Sequence, residues 1–458
     1  MIGFTFLRVF DMKKYISISL ITFLLCVSAA AQQRLTLAES IELALKNNTA
    51  LYNSRLEADA AARIKTSAQT RYFPGISAGA IAFDVSRDLF SIRTPGGNLP
   101  VYDGNPANLL NATQYAWFPG GTTSMLGEGR IGYIDILQPV FAGGRIVNGV
   151  RLAALGQSVA VEKERITRNE VLLSTEEQYW RIVAREEKRK TLAGYQALLD
   201  RLLQQVEDAC ASGLLLRNDV LKVRLKHSEV LLNQSKMENG RKLALMAFCQ
   251  HIGIAFDSTL TFTSPLPAVD NPQQDYRAPQ TVLNLRPEYA LLQKALRAEQ
   301  LQTSLKRGEM LPSAAVGARA MVTRLDDREQ RTLGLLFGTV SIPLSDWIGG
   351  SAELAERGLK EKIAANNLKN HSELLLLQME KAWQDVNDAC RQVRLYEEAL
   401  SQAEENLRIN EDSHRNGLTS VADLLEAQAM VQQTRDDLTD AQTDYCIKRK
   451  KYLQVTGR

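Results

Sequence analysis

The sequence predicts an α+β protein assembled twice along one chain, in which long antiparallel helical hairpins alternate with pairs of strands. Two turns with similar lettering, residues 210–222 (CASGLLLRNDVLK) and 413–426 (SHRNGLTSVADLLE), each stand between heptad-patterned stretches. Gly213 and Gly417, Leu214 and Leu418, and Asp219 and Asp423 are all 204 positions apart, a fixed offset that marks an internal repeat. A second offset of 238 positions links Thr49 with Pro287 and Pro74 with Pro312. The two offsets differ by 34 residues, and that excess falls in one Gly/Pro-rich stretch, so helices and strands repeat while an exposed loop varies. The expected organisation is a signal peptide over 1–31, a first repeat over 32–254, a proline-rich connector over 255–280 and a second repeat over 281–458.

The N-terminus has the layout of an export signal: Lys13 and Lys14, an apolar run over 16–27, then Ala29, Ala30 and Ala31. Met12 is an alternative start. The apolar run is too short for a spanning helix, which favours cleavage after Ala31. Cys26 offers a lipid-anchor site, but Leu24 and Leu25 are bulky where such signals favour small residues.

The helix over 35–71 opens on Thr36 and Glu39 in capping-box spacing and is followed by strands near 76–85 and 127–137. Between the strands lie about 40 residues rich in Gly, Pro and Asn, a length that suits an exposed loop. The motif QPVFAGGR, 138–145, ends the second strand and starts a helix running to about Ser212, roughly 67 residues or about 100 Å at 1.5 Å per residue. Leu192, Tyr195, Leu199, Leu202 and Val206 form a coiled-coil seam on it. The chain returns over 219–252, and Pro265, Pro267, Pro272 and Pro279 then break the pattern. Pro287 suits the first turn of a helix ending near Pro312.

Strands follow at 313–323 and 332–342, joined by a charged turn around Asp326, Asp327, Arg328 and Glu329. In the last hairpin Leu375, Met379, Ala382, Val386, Ala389, Val393, Tyr396, Leu400, Ala403 and Leu407 alternate spacings of four and three. On the return, Leu424, Val431, Leu438, Tyr445 and Tyr452 step by seven. A narrow seam with polar residues on most of the circumference fits the wall of a hollow cylinder and equally a solid bundle of few helices.

Composition excludes several classes. Lys plus Arg number 55 against 52 Asp plus Glu, so no strongly basic surface calls for nucleic acid. The four histidines include no metal-spaced cluster, and Cys210, Cys249, Cys390 and Cys446 lie in helical patterns where buried free thiols are the default, although an exported protein permits a disulfide. GxxxxGK and HExxH are absent, which argues against an enzyme and leaves no cofactor to expect.

The order of elements, with LTLAESIELALKNN, QPVFAGGR, RPEYALLQ, IPLSDWIGG and the two Gly-Leu turns, resembles the TolC-like outer-membrane efflux protein family over nearly the whole mature chain. The resemblance implies a homotrimer whose subunits each give four strands to one 12-stranded outer-membrane β-barrel and their helices to a periplasmic α-barrel. It implies an exit duct for efflux or type I secretion, in contact with outer-membrane lipid. The partners are a periplasmic adaptor protein and an inner-membrane pump of RND or ABC type. Four strands cannot close alone, and open edges are not tolerated in lipid, so sharing a barrel is physically consistent.

Under this resemblance Gly213, Leu214, Gly417 and Leu418 match the adaptor-contact turns, against a plain reading of glycine capping with a leucine staple. Asp423 and Glu426 match an acidic ring at the channel gate, against acids that merely favour a helix start. Phe73, Phe141 and Trp347 flank the strand ends as an interfacial aromatic girdle, against ordinary helix–strand packing. Thr419 departs from an arginine that some members use to lock the closed state, and Lys222 replaces the equivalent of Glu426 in the first turn. The alternative function is a periplasmic coiled-coil adaptor or scaffold without a barrel, which has no need of matching strand pairs.

Overall fold

Helix α1 (Leu37–Asn47) begins on a capping box in which Thr36 and Glu39 satisfy each other's orphan donors. In the computed structural model, which describes residues 34–86, 90–125, 128–325 and 329–458, α1 is separate from α2 (Thr49–Gln69) rather than continuous with it. Asn48 makes the break: its Oδ1 accepts from Ala50 N and Leu51 N, capping α2, while its Nδ2 donates to His251 O at 2.8 Å. The segment read as a signal peptide, with Met12 and Cys26, lies outside the described residues, as do Asp326, Asp327 and Arg328.

The remaining elements follow in chain order. After β1 (Arg34–Leu35) and the two helices come β2 (Gly75–Asp84), β3 (Phe90–Thr94), β4 (Gly97–Pro100), β5 (Tyr115–Phe118), β6 (Gly121–Met125) and β7 (Glu128–Ala142). The first hairpin is α3 (Arg145–Ala211) and α4 (Arg217–Ile252). Next are β8 (Thr261–Phe262), the single turn α5 (Pro279–Val282), α6 (Pro287–Glu309), β9 (Ser313–Leu325), β10 (Arg331–Ser341) and the second hairpin, α7 (Leu344–Arg415) with α8 (Val421–Val455). No helix among the described residues is long and apolar enough to cross a membrane.

The chain divides into two units, and each draws on both sequence repeats. One holds the described part of Met1–Ala60 with Ser158–Ala295 and Ala365–Arg458; the other holds Ala61–Gln157 and Leu296–Ala364. In the first unit the hairpin seams form the core. Val386, Val393, Tyr445 and Tyr452 are buried, as are Leu199, Leu202 and Val206. The proline-rich connector is pinned to them: β8 pairs in parallel with β1, Tyr445 Oη donates to Asp270 O at 3.0 Å, and Arg277 N donates to Tyr452 Oη at 2.9 Å. Tyr179, Phe248 and Phe262 meet edge to face in the same core. All four described cysteines are free thiols, and burial pushes Cys446 up to about 11, so it is inert as a nucleophile.

The second unit contains an antiparallel four-stranded sheet ordered β10-β9-β7-β2. The stretch read as a loop is ordered into two further strand pairs, β3 with β6 and β4 with β5, nested between β2 and β7. Glycine and proline content hid the short strands. A register shift between Pro139 and Phe141 marks a bulge, where a proline that cannot donate to the ladder is accommodated.

Candidate functional site

The two hairpin turns are built alike. Each helix ends with a glycine in left-handed conformation, Gly213 at φ 75° and Gly417 at φ 71°. Leu214 N donates to Ala209 O and Gly213 N to Cys210 O; Leu418 N donates to Ser413 O and Gly417 N to His414 O. This is the paired bonding of a Schellman close, which satisfies the last carbonyls of α3 and α7. The leucine staple does not form: Leu214 is 79% and Leu418 82% exposed. Neither contributes to the core beneath it, where Val220 and Val223 of α4 pack with Val421, Leu424 and Leu425 of α8.

The acids of the second turn are in different situations. Ser420 is the N-cap of α8, and Asp423 completes a capping box with it: Ser420 Oγ donates to the carboxylate at 2.6 Å and Ser420 N at 3.1 Å. Thr419 Oγ1 adds a bond of 3.3 Å, so the residue standing at the arginine position supports the cap instead. These bonds to Ser420 hold the Asp423 carboxyl below its usual range, with Lys222 adding a small electrostatic contribution. Lys222 itself pairs with Asp219 at 3.3 Å. Glu426, one turn further along α8, is exposed and has no ion-pair partner among the described residues. It is the less compensated of the two carboxylates.

The sheet of the second unit has two unlike faces. Side chains alternate along a strand, so paired residues share a face. One face is an exposed aliphatic band in which Ile76, Ile136, Ala318 and Leu336 lie on one rung and Ala78, Ile134 and Ala320 on the next. The opposite face is more covered. There Asp135 and Arg319 stand directly across β7 and β9, joined by a two-pronged salt bridge whose Arg319 Nη2–Asp135 Oδ2 arm measures 2.8 Å, and the Tyr133 ring lies 5.2 Å from the guanidinium. Three rings lie over glycines on that face: a Cβ added at Gly79, Gly129 or Gly317 would collide with Tyr133, Phe83 or Phe337. Sequence reasoning missed the Asp135–Arg319 pair. Each residue is one of several charges on its strand, Glu128, Arg130 and Asp135 on β7 and Arg319 and Arg324 on β9, and the register that joins this pair is not readable from the letters.

Phe73, Phe141 and Trp347 are all exposed, and Trp347 Nε1 donates to Met310 O at 2.8 Å. Val140, Ile342, Leu344 and Ile348, in the same motifs, are exposed as well, so the strand–helix junctions carry more apolar surface than three aromatics. Gly143 and Gly144 take positive φ at the turn from β7 into α3, and Gly143 lies so close to Gly308 of α6 that an added Cβ would sit 2.2 Å from Gly308 O.

Residues 278–458 match the outer membrane efflux protein family. No curated protein matches the chain. Among solved structures, the outer membrane protein VceC of Vibrio cholerae superposes with a TM-score of 0.72 at 14% identity, covering 92% of this chain and 96% of that one. The CmeC outer membrane channel of Campylobacter jejuni gives 0.72 at 14% identity, with coverages of 92% and 85%. The open state of the MtrE outer membrane channel of Neisseria gonorrhoeae gives 0.72 at 13% identity, with 92% and 88%. The resemblance to TolC-like proteins therefore holds as a family match over the second repeat and as a common fold over nearly all of the chain.

Proposed function

We propose that the chain is a passive outer-membrane exit duct. Three copies share one barrel and one periplasmic tunnel, and a pump in the inner membrane delivers cargo through a periplasmic adaptor. The observation that carries this reading is the open sheet. Among the described residues its edge strands β2 and β10 each pair on one side only, and its aliphatic face exposes Ile76, Ile134, Leu336 and Val340. Its strands of 10 to 15 residues reach the length that crosses a bilayer. Lipid tolerates such a face and forbids such edges, so the edges pair with further copies.

In this reading residues 1–31 direct export and are removed. Phe73, Phe141 and Trp347 mark the membrane boundary, Leu214 and Leu418 are the contacts offered to the adaptor, and Asp423 with Glu426 forms the acidic ring. The exposure of both leucines, which no cap requires, supports the docking role. The protein is expected to fractionate with the outer membrane as a trimer, and its deletion to sensitise cells to exported compounds. Recovery only as a soluble periplasmic monomer overturns the reading. Leu418→Asp is expected to weaken crosslinking to the adaptor without lowering thermal stability, since the side chain supports nothing.

A further inference from the structure

We propose that the outward face of the sheet holds a phosphate-bearing lipid of the outer leaflet between Arg130 and Arg324; the inference rests on the outer-membrane reading above. The two arginines are directly paired across β7 and β9, at the strand ends remote from Pro74 and Pro312. They lie on the aliphatic face, two rungs beyond Ile134 and Ala320. Like charges set directly opposite each other on a sheet repel. Among the described residues neither guanidinium makes a salt bridge or side-chain hydrogen bond, although the Asp135–Arg319 pair on the other face shows that this sheet can seat an arginine against an acid.

Asp84 and Glu128 are paired with each other on the next rung, so carboxylates flank carboxylates and arginines flank arginines. Together these residues border a cleft with Ala82 and Gly129. A phosphate is the group that two adjacent guanidinium forks can share, because its several oxygens accept from both. The exposed Ile134, Ile136, Val322 and Leu336 give acyl chains a surface on the same face. A headgroup phosphate joined to acyl chains meets both features at once, whereas a free anion meets only one.

The test uses the full-length protein in mild detergent with lipid A as the probe, counting retained lipid by native mass spectrometry. Its comparisons are lipid A lacking phosphates and inorganic phosphate alone. The double variant Arg130→Gln, Arg324→Gln is expected to raise the half-saturating lipid A concentration about tenfold or more. Arg331→Gln, which falls on the opposite face, should leave it unchanged. Equal retention of the dephosphorylated lipid, an equal loss in Arg331→Gln, or equally tight binding of inorganic phosphate overturns the proposal. Fractionation separates the two readings. A wild-type protein absent from the outer membrane defeats the duct itself; one that fractionates there, with lipid A retention unchanged in the double variant, defeats only the lipid site.

Discussion

Asp423 and Glu426 lie one helical turn apart on α8, and their chemistry differs because only Asp423 reaches the helix end. Its carboxylate is held by Ser420, so Ser420→Ala should cost about 1 kcal/mol of stability. Glu426→Gln should leave the melting temperature unchanged while reducing cation preference in single-channel recordings, because Glu426 is exposed and uncompensated. An equal loss of stability in both variants would show that Glu426 is structural. A pH effect belongs to His251. Its Nε2 lies 3.0 Å from Thr175 Oγ1, whose hydroxyl donates to Val171 O, and burial lowers its pKa. The folded state therefore binds a proton less readily than the unfolded chain. This contribution is fully present above the unfolded value near 6.5 and is lost as pH falls towards the lower folded value. Thermal melts between pH 7.5 and pH 5 should show a decline that His251→Asn reduces.

Elements were legible in the sequence where a period or a cap dictates them. None of the ten α7 seam positions is exposed, and the Thr36–Glu39 box forms as the spacing requires. Trp383 and Cys390 are buried off that seam because α7 packs against more than α8, a neighbour that a single-helix pattern cannot reveal. The four strands β3 to β6 were hidden by turn residues, and the cross-strand partners Asp135 and Arg319 by register. The two turn glycines were readable, and their strain differs from that at Gly143. An added Cβ at Gly417 meets open space, so Gly417→Ala should cost about 1–2 kcal/mol from the left-handed backbone alone. At Gly143 the same change also drives Cβ into Gly308 O. Gly143→Ala should therefore lower the melting temperature more than Gly417→Ala, and a reversed order would mean that α6 yields freely at that contact.

For the whole molecule, the sidedness of the sheet separates a membrane duct from a soluble scaffold. Leu335 and Leu336 are neighbours on the edge strand β10, 53% and 84% exposed, and their side chains leave opposite faces. Leu336 shares its rung with Ile76 and Ile136 on the aliphatic face; Leu335 shares its rung with Asp135 and Arg319. In water an arginine at either site is a surface substitution of small effect. In the proposed barrel a charge on the lipid side bears a cost of up to about 2–4 kcal/mol, while one on the lumen side stays hydrated. In the proposed barrel of three copies, the first cost is incurred three times. Leu336→Arg should therefore reduce the protein recovered in the outer membrane and its trimer fraction, while Leu335→Arg should assemble normally and alter conductance instead. Equal behaviour of the two variants in fractionation and native electrophoresis would rule out lipid on one face only, and with it the shared barrel.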